Sequence, residues 1–452
     1  MSERLRELAG KELAVRLPEH LGRLGWDRAR LEAHQRGRLR ELLARAAANS
    51  PFHARRLAGI GVDRFEPGDL PRLPVMTKAE LMSQFDDVVT DRRLTLRRVQ
   101  AHLDASKDSA SLLLDTHVCL ATGGSSGVRA VFVQTVGEYM DYMASFIRPG
   151  VARNAAAGAR PDDLVVAVVA APSPVHSSGL ATAAISGPVR LVSVPATLPL
   201  ADMVRRLNDL QPPALTGYPT MLAVLAAEQR AGRLRIAPTA VTTASEQLTE
   251  EDRAAITGAF GVPVTDLFCA AEGLIGHTEP GGRVLTFATD MCVAELVDAG
   301  NQPVPPGATA DKVLLTNLHN FTQPLIRYEL TDRFTRQPDD PAGRLRATVE
   351  GRAEYVFRYG DVAVHPRAFD TALDGEPAVT EYQVRQTRHG AVIDVVADGR
   401  LDRAALAAAI RGAVERSGLW EPEIEIRVVP SIDRHPDSGK VLRFIPGRRS
   451  GR

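Results

Sequence analysis

The sequence is poor in the features that mark several classes of protein. Of its 452 residues three are cysteine, Cys119, Cys269 and Cys292, far apart and without a CxxC pair. That argues against a disulfide framework and against a Cys-rich zinc site. Charge of neither sign is in excess, because 55 Lys and Arg balance 55 Asp and Glu. Such a chain has no net field to gather nucleic acid or anionic lipid. No apolar run approaches the ~18 residues of a membrane span; the strongest, Leu164 to Ala171, is cut off by Pro172. The opening MSERLRELAGKELAVRL is charged throughout and has no signal-peptide core. Internal repeats and low-complexity tracts are absent as well. What remains is 44% hydrophobic and 24% charged, an ordinary globular make-up at a length that holds more than one domain. The expectation is a cytoplasmic enzyme with no nucleic-acid or membrane partner.

The first hundred residues read as mostly helical, with Leu39, Leu42, Leu43 and Ala46 on one helix face. From about Val118 the pattern becomes α/β. LVVAVVA (Leu164 to Ala170) is continuously apolar and β-branched, which predicts a strand covered on both faces. RLVSV (Arg190 to Val194) and VLLT (Val313 to Thr316) are further strands. Met203, Val204, Leu207 and Leu210 follow helical spacing, and Thr249 with Asp252 marks a helix start. The fold class predicted is α/β: a large N-terminal domain, 1–351, with mainly parallel sheets flanked by helices. A small α+β domain, 352–452, follows. Its elements are AVIDVVAD (Ala391 to Asp398), a helix through Leu406, Ile410, Ala413, Val414 and Ser417, and the alternating strand EIEIRVV (Glu423 to Val429). Its polar tail HPDSGKVLRF carries a Lys on a turn-rich loop, as a mobile lid does.

The most informative stretch is HVCLATGGSSGVRAVFV (His117 to Val133). Thr122, Gly123, Gly124, Ser125, Ser126 and Gly127 sit between two β-like runs. Glycines let backbone approach a polyphosphate, and the hydroxyls add donors. A P-loop would need Gly-Lys-Ser/Thr, but Gly127 leads to Val128 and Arg129. A serine hydrolase using Ser125 matches G-x-S-x-G, yet its elbow must turn from strand into helix. Here Val131, Phe132 and Val133 favour a strand. A strand–loop–strand phosphate grip is the third reading, and a plain surface hairpin the fourth.

The third reading resembles the ATP-binding loop of the acyl-adenylate-forming superfamily, T-S-G-T-T-G-x-P, here A-T-G-G-S-S-G-V-R. Further motifs follow in that family's order, and the likeness to its phenylacetate–CoA ligase-like branch covers nearly the whole chain. LPVMTKAEL (Leu73 to Leu81) resembles the branch's N-terminal signature. PSPVHSSGL (Pro172 to Leu180) and LTGYPTML (Leu215 to Leu222) resemble segments near the acid pocket. This implies His176, Tyr218, Ala270 and Ala271 along that pocket. TTASEQLT (Thr242 to Thr249) implies Ala244, Ser245 and Glu246 against adenine. DLFCAAEG (Asp266 to Gly273) resembles Y-G-x-T-E, with Phe268 as the aromatic and Glu272 as the magnesium carboxylate, a lone ligand of the kind that ion accepts. Ala271 replaces the family's Thr and loses one phosphate contact. QPLIRYELTD (Gln323 to Asp332) implies Asp332 on the ribose hydroxyls. GRAEYVF (Gly351 to Phe357) resembles the hinge motif G-R-x-D, with Arg352 on the nucleotide and Glu354 as the pivot. SGKVLRFIP (Ser438 to Pro446) resembles the terminal motif whose Lys is catalytic, here Lys440. Singly, each has an ordinary alternative: a loop histidine, a helix cap, a turn aspartate, a solvated lysine.

The resemblance implies ATP and magnesium as cofactors and a small acid, chiefly aromatic in this branch, as substrate. The acid is activated as an acyl-AMP with release of pyrophosphate, and then passes to the thiol of coenzyme A. A carrier protein's pantetheine arm or an amine is the alternative acceptor, and nitrite the alternative to a carboxylate. A nucleotide-binding protein without turnover is the reading furthest from these. Some members of the branch hold zinc through Cys and His just after the Y-G-x-T-E segment. Here His277 and Cys292 stand without a four-ligand set, so no structural zinc is expected. A homodimer is the default assembly only because dimers are commonest.

Overall fold

The structure, a computed structural model, describes residues 3–121, 130–156, 158, 164–185, 189–352, 355–360, 362–364, 366–373, 376, 378–434 and 440–447. The first element is an amphipathic helix, Glu3–Arg23, whose Leu5, Ala9, Leu13 and Leu17 recur every four residues and are buried. They pack on the long helix Val136–Ala156. The helix Arg28–Asn49 begins at Asp27, whose side chain accepts from the Arg30 amide, and buries the expected Leu39, Leu42, Leu43 and Ala46.

A nine-stranded sheet is the centre of the molecule. Strands Val189–Pro195, Leu164–Ala170, Ala214–Gly217, Ala240–Ala244 and Val264–Cys269 run parallel and adjacent in that order. Helices Leu200–Leu210, Pro219–Arg230 and Glu250–Phe260 return the chain between them, as parallel pairing requires. Thr249 caps the last by accepting from the Asp252 amide. The strands Ile275–His277, Leu285–Phe287, Arg346–Arg352 and Asp332–Gln337 extend the sheet antiparallel. Cys292–Val297, Lys312–Asn317 and Tyr328–Leu330 form a second, three-stranded sheet.

One expectation is modified here. Leu164, Val166 and Val168, on one face of the strand Leu164–Ala170, are only partly buried, whereas Ala167, Val169 and Ala170 are buried. The strand is covered tightly on one face, and the other borders an internal cavity.

The C-terminal residues build their own core. Strands Val379–Gln386, Gly390–Ala397, Glu423–Val428 and Phe444–Ile445 form a mixed sheet of four. Helix Arg403–Glu415 buries Leu406, Ile410 and Val414 against it. Its Asp402 cap accepts from the Ala404 and Ala405 amides.

Between the body's first helix and its long helix lies a buried ionic cluster. Arg148 Nη1 and Nη2 donate to the two carboxylate oxygens of Asp290 at 2.7 and 2.6 Å. Arg23 approaches the same carboxylate at 3.4 Å. Burial pushes the Asp290 carboxyl up, yet the two guanidiniums overcome it and hold it well below the usual carboxylate range.

Candidate active site

The glycine-rich segment connects two paired strands. His117–Ala121 and Val131–Thr135 run antiparallel with Ala121 opposite Val131, so the next element described after the loop is a strand. A strand on either side is the context of a phosphate grip, whereas a nucleophile elbow leads from strand into helix. Thr122, Gly123, Gly124, Ser125, Ser126 and Gly127 themselves lie outside the described residues. Gln323 anchors the hairpin: its Oε1 accepts from the Val133 amide at 2.8 Å and its Nε2 donates to the Val131 carbonyl at 3.1 Å.

The carboxyl ends of the parallel strands gather most of the remaining candidates, as expected for ligand sites on open parallel sheets. Ala244 ends one strand, and Ser245 follows in the left-handed region at φ +70°. That conformation is uncommon for a residue with a Cβ and marks a constrained turn. Lys440, from the C-terminal tail, reaches this turn: its Nζ donates to the Ser245 carbonyl at 3.2 Å and lies 5.3 Å from the centre of the Tyr218 ring. The contact over the ring is a cation–π arrangement. Tyr218 is held in turn, its hydroxyl accepting from the Ala171 amide at 2.9 Å. Burial pushes this phenol up to about 12, so it stays protonated.

Glu246, which the resemblance implied against adenine, is tied to the C-terminal tail. Its carboxylate accepts from Thr220 Oγ1 at 2.7 Å and from the Val441 amide at 3.2 Å. Burial pushes its carboxyl up, while Thr220, Lys440 and Arg443 pull it back. Around it the tail is fastened by further charged bonds. Arg443 Nη2 donates to Asp252 Oδ2 at 2.8 Å, and Arg434 pairs with Glu381 while reaching Thr220 Oγ1 at 3.4 Å. Motif reading passed over Thr220, Glu381 and Arg434, and took Asp252 only as part of a helix start. Thr220 lies inside LTGYPTML, and the others carry no local signal for these contacts.

Phe268 points to the opposite face of its strand from Leu267 and Cys269. It packs edge-on against Phe334, 5.1 Å between centres, and Phe287. Ala270 is buried, and its carbonyl accepts from Tyr142 Oη at 3.3 Å. Ala271 is half-buried beside it. The Glu272 carbonyl accepts from Asn317 Nδ2 at 2.6 Å, which fixes the turn carrying its half-buried side chain. Asp332 and Arg352, twenty residues apart, are direct partners in the antiparallel ladder, so their backbones meet at one sheet position. His176 precedes the helix Ser177–Ala184 as its cap residue, without a side-chain capping bond. Glu354 lies outside the described residues. Among the described residues no group of three or more His, Cys, Asp and Glu is placed to hold a metal ion. No helix among them is long and apolar enough to cross a membrane.

Beneath Ser245 and Tyr218 opens a cavity of about 420 Å³, walled by the sheet on one side and the helix Val136–Ala156 on the other. Cys269 lies at its upper end; burial pushes that thiol up, against the pull of Lys440. No amino-acid motif announced the cavity, because its sheet wall is made of Ala, Val and Thr.

No known family profile matches the chain, and no curated protein does. Solved structures match in fold. 2-Hydroxyisobutyryl-CoA ligase, in the postadenylation state with 2-HIB-AMP, aligns over 92% of this chain and 90% of its own at 21% identity, with a TM-score of 0.67. The same ligase in an open conformation with 2-HIB-AMP and CoA gives 0.56, and in the thioesterification state 0.55. ATP-bound MatB from Rhodopseudomonas palustris aligns over 71% of this chain and 65% of its own at 16% identity, with a TM-score of 0.52. The chain thus has the fold of the acyl-adenylate-forming ligases.

Proposed function

We propose that the protein activates a carboxylic acid with ATP, forming an acyl-AMP and pyrophosphate, and then transfers the acyl group to a thiol. The observation that carries this reading is Lys440 at the mouth of the cavity, against the Ser245 carbonyl and the Tyr218 ring. The acid would lie with its tail in the cavity and its carboxylate at the mouth. One carboxylate oxygen attacks the α-phosphorus of ATP; the bond to the β-phosphate oxygen breaks, and pyrophosphate leaves. Lys440, a compact cation, offsets the charge spread over the attacking oxygen and the nucleotide. Position and electrostatics supply most of the acceleration, since no proton need move in this step.

The nucleotide would lie between the hairpin loop Thr122–Gly127, the Ala244–Ser245 turn, Phe268, and the Asp332 and Arg352 ladder pair. The donor set suits magnesium: Glu272 offers hard carboxylate oxygen on a turn fixed by Asn317. When bound, that ion would supply charge neutralisation at the phosphates. In the second step a thiolate attacks the acyl carbon and AMP departs. The 352–452 lid, pivoting at Glu354, would carry Lys440 away and open a path for coenzyme A or for a carrier protein's pantetheine arm. That the fold is shared with CoA ligases favours coenzyme A.

The test is acid-dependent pyrophosphate release. We expect Lys440→Ala to lower it by roughly 10²–10³-fold, the effect of losing one preorganised charge-stabilising group, with ATP binding retained by calorimetry. Wild-type release in that variant would remove Lys440 from the mechanism. Release unaffected by coenzyme A would move the acceptor to a carrier protein or an amine, and release with nitrite alone would replace the carboxylate.

A further inference from the structure

The cavity runs much deeper than a small acid needs. Strand registers align its sheet wall in rows. Uppermost are Ala170, Ala244 and Leu267; below them Val168, Thr216, Thr242 and Thr265; then Leu191, Val166, Ala214 and Ala240; lowest Leu164 and Val189. Successive rows are two residues apart, so the wall from Ala170 down to Leu164 is about 20 Å tall at roughly 3.3 Å per residue. The opposite wall agrees. Tyr142, Met143, Phe146, Ile147, Gly150 and Asn154 recur at helical spacing along one face. From Tyr142 to Asn154 the helix descends about 18 Å at 1.5 Å per residue. Val166, Val168, Leu191 and Ala240 are only partly buried where they line the cavity.

The third row presents two single methyls, Ala214 and Ala240, where a benzoate-sized pocket needs a floor. Lys440 stands at the mouth, Thr216, Thr242 and Thr265 add hydroxyls one row below the top, and Arg153 and Asn154 lie at the far end of the helix wall. Below the threonine row the sheet wall is aliphatic, with Val166, Leu191, Ala214, Ala240, Leu164 and Val189, which fits an apolar chain reaching beyond the length of a ring.

Resting on the activation reading above, we propose that the acid is an extended, unbranched aliphatic one, its chain lying along the strands from Ser245 toward Leu164. At roughly 1.25 Å per methylene, from a C–C bond of ~1.5 Å, a chain of about twelve carbons spans most of the depth. This departs from the aromatic acid that motif resemblance implied.

The experiment is a chain-length series from acetate to hexadecanoate, with benzoate and phenylacetate beside it, read as kcat/KM for pyrophosphate release. Expected is a rise of up to roughly fourfold per methylene, ending near dodecanoate. Ala214→Phe, two rows below the Ala244 level, should lower the dodecanoate-to-hexanoate ratio at least tenfold. Ala240→Phe, its neighbour in the same row, should do likewise should the first variant fold poorly. Preference of the wild-type protein for benzoate, phenylacetate or short acids would overturn the inference and leave the activation reading standing. If no acid releases pyrophosphate, the activation reading fails, and dodecanoate binding by calorimetry decides the rest. Binding weakened by Ala214→Phe upholds the long cavity as an acyl site; absence of binding overturns it.

Discussion

Arg148 shows how much a single side chain can hold. It donates twice to Asp290, and both side chains are 5% exposed. Removing one partner strands a charge away from water, which costs far more than the pair itself contributes. Arg148→Ala is expected to destabilise the protein by about 3–5 kcal/mol, measured by urea unfolding. A smaller loss in the double variant Arg148→Met with Asp290→Leu would confirm that the stranded charge is responsible. Little of this was legible in the sequence. Arg148 and Asp290 are 142 positions apart, and neither belongs to a local motif. Lys440 was legible because the chemistry at a tail loop leaves a short signature, Ser-Gly-Lys. Glu246 was legible as a residue of interest, but its bond to the Val441 amide depends on a tail about two hundred residues away. No local pattern carries that information.

At the scale of elements, the C-terminal segment around Lys440 is fastened by bonds that converge on two helix starts and one turn. Thr220 begins the first turn of helix Pro219–Arg230, Asp252 lies in the first turn of helix Glu250–Phe260, and Glu246 sits on the turn between that helix and its strand. Glu246→Gln keeps the shape but weakens the charge-assisted bonds, and Glu246→Ala removes them. We expect acid-dependent pyrophosphate release to fall about tenfold in the first and about a hundredfold in the second, with charge-assisted bonds worth roughly 1.5–3 kcal/mol each. Thioester formation from supplied acyl-AMP should fall much less, because that step would use the tail in another position. Equal losses in both half-reactions would mean that Glu246 supports the turn and not the tail. The elements themselves were well read from the sequence. Hydrophobic period and capping residues gave the helices at 28–49 and 250–260, and alternation gave the strand at 423–428. The strand Leu164–Ala170 was read as an element, yet its open face was missed. A run of Val and Ala reports that a strand is surrounded by apolar matter; it does not report an empty volume.

For the whole molecule, buried histidines set an acid limit. Burial, with Arg56 nearby, pushes His53 down to about 3. Burial with Arg153 and Arg148 nearby pushes His277 down to about 4, and burial pushes His319 to about 4. Each is neutral in the folded protein at pH 5, while the unfolded chain, with histidines near 6.5, binds the proton. The unfolded state therefore holds more protons, and stability falls as pH drops. The contribution is complete above about pH 6.5 and is lost between there and about pH 4, by up to about 1.4 kcal/mol per pH unit for each histidine. Urea midpoints measured from pH 7.5 to 4.5 should decline, and His319→Gln should flatten the decline. A flat profile in the wild-type protein would show that these rings are charged in the folded state. The architecture at this scale was anticipated as α/β with a small C-terminal unit. The order in which nine strands pair is set by contacts far apart in the chain, and single-strand patterns do not encode it.

The rows of the cavity also divide labour along each strand. The five parallel strands turn their carboxyl ends toward the mouth, where Lys440 meets Ser245, and their amino ends toward the base near Leu164. A change at Ala214 or Ala240 therefore acts about 13 Å from the reacting end, at roughly 3.3 Å per residue. Depth can be reset one methyl group at a time while the mouth keeps its geometry. Which molecule is accepted and what is done to it are thus written in separable parts of one sheet, and a library varied only at those lower positions would explore substrates without disturbing the chemistry.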